Sequence, residues 1–519
     1  MPPAPDAPTP DHELPRSGAS LWVHDRPVAP THAPLAGDGT TDVVVVGAGI
    51  AGLTAADELS RAGVGVRVLE SRRLGSGATG FTTAKISRLQ GSRHHTIARR
   101  HGTDAVRHYA DANREGAEHL RARLDALGLP VQERDAVTYA LGRSGLPTIE
   151  AELEASRAAG VPVERAVQPP DLGSPVAGAI VLAGQAQFDP VPYLAGLADA
   201  VAAAGGHVHE QTRVVAVDRV SRGDGARFAV RTDRGDLRAR HVLMCTGLPV
   251  VDRGLYFARL EPLRSYCVAL RVEGGPPPDL AMAINVDSPT RSLRTAPDPA
   301  GGPDLLLVGG EGHVVGREPD TVARYEALVA WAEAHHTVDE VAWRWSTQDY
   351  ESVDELPYVG GGGTLPDGML VATGFAKWGM TNGTAAGLAL ADDVLGRPTR
   401  SWRGAFDAGR GDLGRSAGRL VELNAKVAYR FVADRLATLR PAGAPGEGAA
   451  TVTAFGRTGR SCVDGEEHDV AAVCPHLGGV LAWNPAERSW DCPLHGSRFG
   501  CDGPVLQGPA VTDLRRRGG

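Results

Sequence analysis

Residues 41–70 read TDVVVVGAGIAGLTAADELSRAGVGVRVLE. The apolar, β-branched run through Val46 predicts a buried strand, and the apolar positions from Leu53 to Ala62 recur at helical spacing. Val66 to Leu69 predicts a second strand, which ends at Glu70. Between the first strand and the helix stand Gly47, Gly49 and Gly52, in the spacing G-x-G-x-x-G. In a strand–turn–helix setting such glycines let the backbone approach a pyrophosphate, and the free amides of the helix start bind it. An acid about twenty residues farther on accepts the ribose hydroxyls in hydrogen bonds and repels a 2′-phosphate, and Glu70 stands at that distance. The stretch therefore predicts α/β architecture with a dinucleotide site.

Beyond it the pattern changes. Residues 94–128 and 148–160 have helical periodicity, the latter closed by Gly160, and 137–141 has strand character, so a second domain or an insertion begins there. Short apolar strands resume at Gly178, followed by a helix from Pro190 to Ala204 and strands at Val208 to Val217, 227–231 and Val242 to Cys245. Strand character runs over 260–310, a helix is expected near 318–335, and Met369 to Thr373 leads into a glycine-punctuated helix. A last helix is expected over 412–438, and PAGAPGEGAA (441–450) reads as a linker into a small domain of short strands and turns.

With 519 residues the chain has room for several domain-sized units. A net charge of −8 with well-mixed signs provides no basic stripe for nucleic acid and no polybasic segment for an anionic membrane. Residues 1–40 are Pro-rich without the features of a signal peptide and read as a flexible lead-in, and no apolar run is long enough to span a membrane. The cysteines (Cys245, Cys267, Cys462, Cys474, Cys492 and Cys501) are too sparse for a disulfide scaffold, so a reducing, cytoplasmic setting is expected. Lysine is confined to Lys85, Lys377 and Lys426 in an Arg-rich chain, which marks positions where a compact amine suits and a guanidinium does not.

Near the C-terminal end, Cys474-Pro-His476 and Cys492-Pro-Leu-His495 set two loops against each other, each with one thiol and one imidazole. Zinc can take two Cys and two His, but its ligands generally come as C-x-x-C and H-x-x-x-H pairs. Mixed pairs suit a Rieske-type [2Fe-2S] centre, in which two Cys hold one iron and two His the other. Cys462 and Cys501 fall outside the pattern and read as free structural thiols. The histidines His94, His95 and His101, and His335 with His336, are candidates for a mononuclear iron site, but they precede the cluster motif, whereas oxygenases of that kind carry such a site after it; exposed helix positions are expected instead. A second nicotinamide fold is not supported, because VGGEGHVVG (308–316) has the wrong spacing, and the lack of any C-x-x-C excludes a disulfide-reducing flavoenzyme.

Three segments bear on which dinucleotide binds: SRRLGSGATGFTTAKIS (71–87), VLMCTG (242–247) and MLVATGFAKWGMTNG (369–383). They resemble the D-amino-acid oxidase and glycine oxidase superfamily, and more closely its bacterial FAD-dependent branch with a C-terminal Rieske domain. GATGFTTAK, GLYFARLEPLRSY and ATGFAKWGMTNG carry that likeness, which runs from about Leu21 onward. The resemblance implies FAD surrounded by Gly47, Gly49, Gly52, Glu70, Thr79, Thr82, Lys85, Thr246, Gly247, Gly374, Trp378, Gly379, Met380 and Thr381. Some relatives attach the flavin through a His where Phe81 stands, so a noncovalent flavin is expected. The regions 255–268 and 344–358 are expected to border the active cavity, with Arg264, Tyr266, His313 and Lys377 facing a substrate; Arg264 is equally placed to serve an ion pair between domains.

The implied fold is a Rossmann-like FAD-binding domain (41–95, 178–258 and 340–400) interleaved with a mixed-sheet substrate domain (96–177 and 259–339), a helical linker (401–447) and a small all-β Rieske domain (448–519). The implied activity is oxidation of an amine or amino-acid-like substrate by hydride transfer to flavin, with the cluster passing electrons singly to a carrier protein, quinone or oxygen. The alternatives are a redox-sensing electron-transfer module and a component feeding a separate oxygenase. The cluster motif also resembles that of respiratory-chain Rieske proteins, which have an extra Cys in each loop where Gly479 and Leu494 stand; the resemblance implies that their disulfide is absent. Ser497 keeps a hydroxyl toward the cluster, whereas Phe499 replaces a Tyr, so a potential in the lower part of the Rieske range is expected.

Overall fold

Val43 to Val46 are all buried because their strand, Gly39–Val46, runs through the middle of a sheet. It pairs in parallel with Val66–Leu69 on one side and Asp236–Met244 on the other, with His207–His209 and Met369–Thr373 one strand farther out on each side. A parallel strand covered on both faces is continuously apolar, not alternating, as this one is. Helices Ile50–Arg61, Pro190–Ala203 and Gly379–Leu395 pack together in one core with Val43 and Val45, while Val44 and Val46 join a second core with the antiparallel pair Val214–Arg219 and Phe228–Thr232. The computed structural model describes residues 19–24, 31–168, 171–220, 225–251, 254–410, 413–438, 444–453 and 458–517.

A second, mostly antiparallel sheet of nine strands stands beside the first. Its order is Val338–Ser352, Leu260–Val272, Leu305–Val314, Arg291–Ala296, Met282–Asn285, Gln132–Ala140, Gly178–Gln187 and Lys85–Ile86, with Glu164–Arg165 added beside Gly178–Gln187. The division expected from the sequence is corrected here. The sequence places Lys85–Ile86, Gly178–Gln187 and most of Val338–Ser352 in the dinucleotide-binding part, yet they pair in the second sheet. Periodicity shows that a segment is a strand but not which distant segment it pairs with.

Other expectations shift locally. The helix over 94–128 is two, Arg93–His101 and Thr103–Ala126, divided at Gly102 with φ +85°. His94 is buried, not exposed; its Nδ1 lies 2.8 Å from Ser156 Oγ, and burial pushes the imidazole down to about 4 and the neighbouring Glu152 carboxyl up to about 8, so the pair is neutral. Of the lead-in, residues 1–18 and 25–30 lie outside the described residues. The segment 19–24 is fastened down, with Leu21 and Trp22 buried, Ser20 Oγ donating to Gly80 O and Trp22 Nε1 donating to Thr82 O at 2.7 Å.

After the long helix Leu413–Ala437 come two small antiparallel sheets, Ala450–Thr453 with Thr458–Val463 and Glu466–Val470, then Ala482–Asn484 with Ser489–Asp491, Arg498–Gly500 and Val505–Gln507. Trp490 and Phe499 fill their core next to Cys474 and Cys492. Among the described residues no helix is long and apolar enough to cross a membrane.

Candidate functional site

The turn after Gly39–Val46 is held by its own backbone. Gly47 has φ +100° and donates its amide to Leu69 O at 2.9 Å; the N-cap residue Gly49 has no side chain to cap the helix that follows, and the Ile50 amide meets Thr79 Oγ1 at 3.3 Å. Glu70 is clamped by the amides of Ala48 (3.1 Å) and Arg72 (3.0 Å), which aim the carboxylate at the mouth of the same turn. Both border a cavity of about 1130 Å³ that runs between the two sheets. Thr79, Thr82, Lys85, Thr246, Gly247, Gly374, Trp378, Gly379 and Met380 line its walls along with Gly47, Gly49 and Glu70. Two expected residues do not reach it. Gly52 acts from behind the turn, and Thr381 is buried with its hydroxyl on Asn113 and Gln90.

A second uncapped helix start, Gly379–Leu395, faces the cavity after Gly374, Ala376 and Lys377, all with φ between +49° and +79°. Positive φ at two consecutive non-glycine residues is strain of the kind found at ligand sites. A long cavity bordered by two helix starts whose N-cap residues make no side-chain cap, with an acid at one end, is shaped for a dinucleotide with a bulky second half. Glu70→Gln is expected to weaken dinucleotide binding roughly tenfold, about 1.4 kcal/mol, read by cofactor titration of the stripped protein.

On the substrate side the structure separates the expected residues. Tyr266 lines the cavity, and its Oη donates to His313 Nε2 at 2.8 Å, while His313 Nδ1 donates to Val314 O at 2.9 Å; burial pushes the His313 imidazole down, so this pair is neutral. Lys377 also lines the cavity. Arg264 does not: its guanidinium is fully buried 3.0 Å from Asp491 of the Rieske part, with further bonds to Ser346 and Gln348, so it is unavailable to a substrate carboxylate. Lys85 is buried in the wall, donating to Ala283 O at 3.1 Å and Ser292 Oγ at 2.7 Å, and burial pushes its amine down to about 7.

Asp349 was not singled out from the sequence. It lines the cavity and accepts from the backbone amide of Lys377, and burial pushes its carboxyl up to about 6. The only signal is a charged residue within the strand WRWSTQDYES (343–352), whose neighbours are large and buried. The folded protein holds a proton on Asp349 to higher pH than the unfolded chain does, so the stability tied to this group is lost as pH rises from about 4 through 6. Asp349→Asn, which cannot ionise, is expected to melt roughly 1–3 °C higher than the parent at pH 8. The gap should close below pH 4, as checked by thermal melts across pH.

The cluster motif folds into two matching loops. Gly478 N donates to Cys474 O and Gly496 N to Cys492 O, both glycines having φ near +77°, and each loop is closed by Cys474 N on Gly479 O or Cys492 N on Ser497 O. Both sulfurs are buried and within hydrogen-bonding reach of each other; the amides of His476 and Leu477 and the hydroxyl of Ser497 help to hold Cys474 down to about 7. Cys492 is pushed the other way, well up, by its contact with the Cys474 sulfur and by burial, although the amides of Leu494 and His495 also point at it. The two imidazoles meet edge to face with centroids 5.3 Å apart, and burial together with His476 holds His495 down to about 3, hence neutral and ready to ligate. His495 Nδ1 is buried with no hydrogen-bond partner among the described residues. No three His, Cys, Asp or Glu converge on one point there, whereas a two-iron cluster asks for only two protein ligands per iron. The residues therefore fit that group.

Comparison with known proteins agrees with both sites. Residues 42–393 match the family model described as DAO, FAD dependent oxidoreductase, and residues 445–516 match the Rieske [2Fe-2S] domain. Over 498 residues, 94% of this chain and 95% of the relative, it is 32% identical to the putative Rieske 2Fe-2S iron-sulfur protein YhfW of Bacillus subtilis (strain 168). Over 48 residues, 9% of this chain and 27% of the relative, it is 46% identical to cytochrome b6-f complex iron-sulfur subunit 1 of a Nostoc species. Glycine oxidase from Geobacillus kaustophilus superposes with a TM-score of 0.58 at 21% identity, covering 72% of this chain and 99% of that one. L-Amino acid deaminase from Proteus myxofaciens gives 0.56 at 16%, covering 74% and 96%. At such identities the likeness is of fold alone.

Proposed function

The chain belongs to the DAO family of FAD-dependent oxidoreductases and carries a Rieske [2Fe-2S] domain, and on that premise we propose that it oxidises an amine or amino-acid-like donor and releases the electrons singly through the cluster. When bound, FAD supplies the acceptor for a hydride leaving the donor carbon, and the cluster supplies a one-electron carrier. The observation that carries this reading is the shared cavity, whose wall runs from Gly47 and Glu70 past Trp378 and Lys377 to Val505, Gln507 and Ala510 of the Rieske domain.

This chain's own groups do the binding. Gly47, Gly49 and the two helix starts receive the dinucleotide, and Phe81 in the cavity wall has no atom that bonds covalently to a flavin, which supports a noncovalent FAD at that position. Asp349 and Lys377 share the far wall, and no ion pair joins their side chains among the described residues. An ammonium can settle on the first and a carboxylate on the second, which together with the names of the structurally similar proteins supports the donor class. Tyr266 and His313 add a neutral hydrogen-bonding pair to that wall. Buried Cys474 and Cys492, both free of disulfides, suit the cytoplasm.

The reading is tested by anaerobic absorbance spectra after mixing with a panel of amines and amino acids. Bleaching of the flavin band followed by loss of the cluster band is expected for at least one donor. Silence across the panel would overturn the donor class, and reduction by NADH alone would make the chain a reductase component instead.

A further inference from the structure

The second ligand loop of the Rieske domain is bound to the body of the protein by directional contacts. Arg264 holds Asp491, the residue before Cys492, at 3.0 Å, with Gln348 Oε1 on the same guanidinium at 3.2 Å. Gln348 Nε2 donates to Gly496 O at 2.7 Å and to Tyr350 Oη at 3.1 Å, and Tyr350 Oη donates to His495 O at 3.3 Å. Phe257 stands edge-on to the His495 ring, centroids 5.4 Å apart. The backbones approach so closely that a Cβ on Gly496, whose φ is +78°, would lie 2.5 Å from Gln348 Nε2 and 2.7 Å from Pro262 Cβ; one on Gly316 would lie 2.9 Å from Pro493 Cα.

Tyr350 reaches in both directions. It borders the flavin cavity, where a Cβ on Gly247 would meet its ring at 2.8 Å, and it touches the backbone of His495. The other ligand loop faces away, with His476 half-buried between exposed Pro475 and Leu477. Separating the contact would strand buried Arg264 and Asp491 from each other, which strongly disfavours opening.

Building on the flavin–cluster reading above, we infer that Gln348, Tyr350 and the Arg264–Asp491 pair form a fixed seat that holds the His495 side of the cluster against the flavin cavity, so that electrons cross within one chain with no movement of the Rieske domain. Each crossing takes one electron from the reduced flavin and turns one ferric iron ferrous; a one-electron carrier outside the chain returns that iron to ferric. Two rounds, with one proton left in the cavity, restore an anionic reduced flavin to its oxidised form.

The test uses the full-length holoprotein with its flavin reduced by a light flash in the presence of EDTA, followed by cluster absorbance and electron paramagnetic resonance. A first-order rate is expected that is independent of protein concentration and insensitive to added sucrose. Gln348→Ala, with FAD and cluster both present by spectrum, is expected to slow the crossing about tenfold or more and make it viscosity-dependent. Amide exchange over 492–497 should quicken in the same variant. A parent rate that falls in proportion to viscosity overturns the fixed seat, as does a Gln348→Ala protein with parental rate and exchange; should that variant not fold, the parent's viscosity dependence decides alone. Because light replaces the donor, failure of the amine panel would sink the donor class without touching this result.

Discussion

Cys492→Ser is expected to give a flavoprotein that has lost its iron and its cluster resonance while keeping its full complement of FAD. Cys492 is 1% exposed at the base of its loop, with its sulfur beside that of Cys474, and a serine hydroxyl there replaces the thiolate that an iron requires. Leu494, Trp490 and Phe499 pack around the two cysteines in a core of their own, separate from those of the two large sheets. Loss of the cluster should therefore lower an early calorimetric transition belonging to the small domain and leave the main one in place. Cys501→Ser provides the contrast. Its thiol lies outside both loops, so iron content should match the parent, and a Cys501→Ser protein without iron would contradict the ligand assignment.

Gly52→Ala should be severely damaging to the flavin half. A Cβ at that position would sit 2.0 Å from Gly47 O, closer than real atoms come, and in tight contact at 3.2 Å with Val45 Cγ1. The Gly47 carbonyl has little room to yield, because the amide of the same residue is bound to Leu69 O. The turn that receives the pyrophosphate would have to move, and FAD affinity is expected to fall at least a hundredfold, about 2.7 kcal/mol. FAD retained through gel filtration is the readout, with iron content unchanged as the control for folding of the other half.

The parts of the molecule legible in the sequence are those where chemistry is local. The dinucleotide turn needs its three glycines and its acid within thirty residues, and the cluster needs two short loops, so spacing alone exposed Gly47, Gly49, Glu70, Cys474, His476, Cys492 and His495. What stayed hidden depends on distant partners. Lys85–Ile86 pairs with Gly178–Gln187, and Val338–Ser352 with Leu260–Val272, which no periodicity can show. Arg264 reads equally as a carboxylate ligand or as half of an ion pair between domains, and only the fold decides for the second by bringing Asp491, more than two hundred residues on, to its guanidinium. His94 in a run of Arg and His looks solvated, yet the turn of its helix points it at Ser156. Thr381 lies one residue past the cavity wall, on the face of its helix that meets Asn113.

What stands to be tested is the proposal that the flavin and the cluster form one redox unit inside this chain. Its most direct test is an anaerobic titration of the holoprotein with the best donor of the amine and amino-acid panel, with absorbance and low-temperature electron paramagnetic resonance recorded on the same samples. The resonance of the reduced Rieske cluster is expected to grow from the first substoichiometric addition, in step with bleaching of the flavin, and to be absent in Cys492→Ser. A flavin that bleaches fully while the cluster stays oxidised would contradict it.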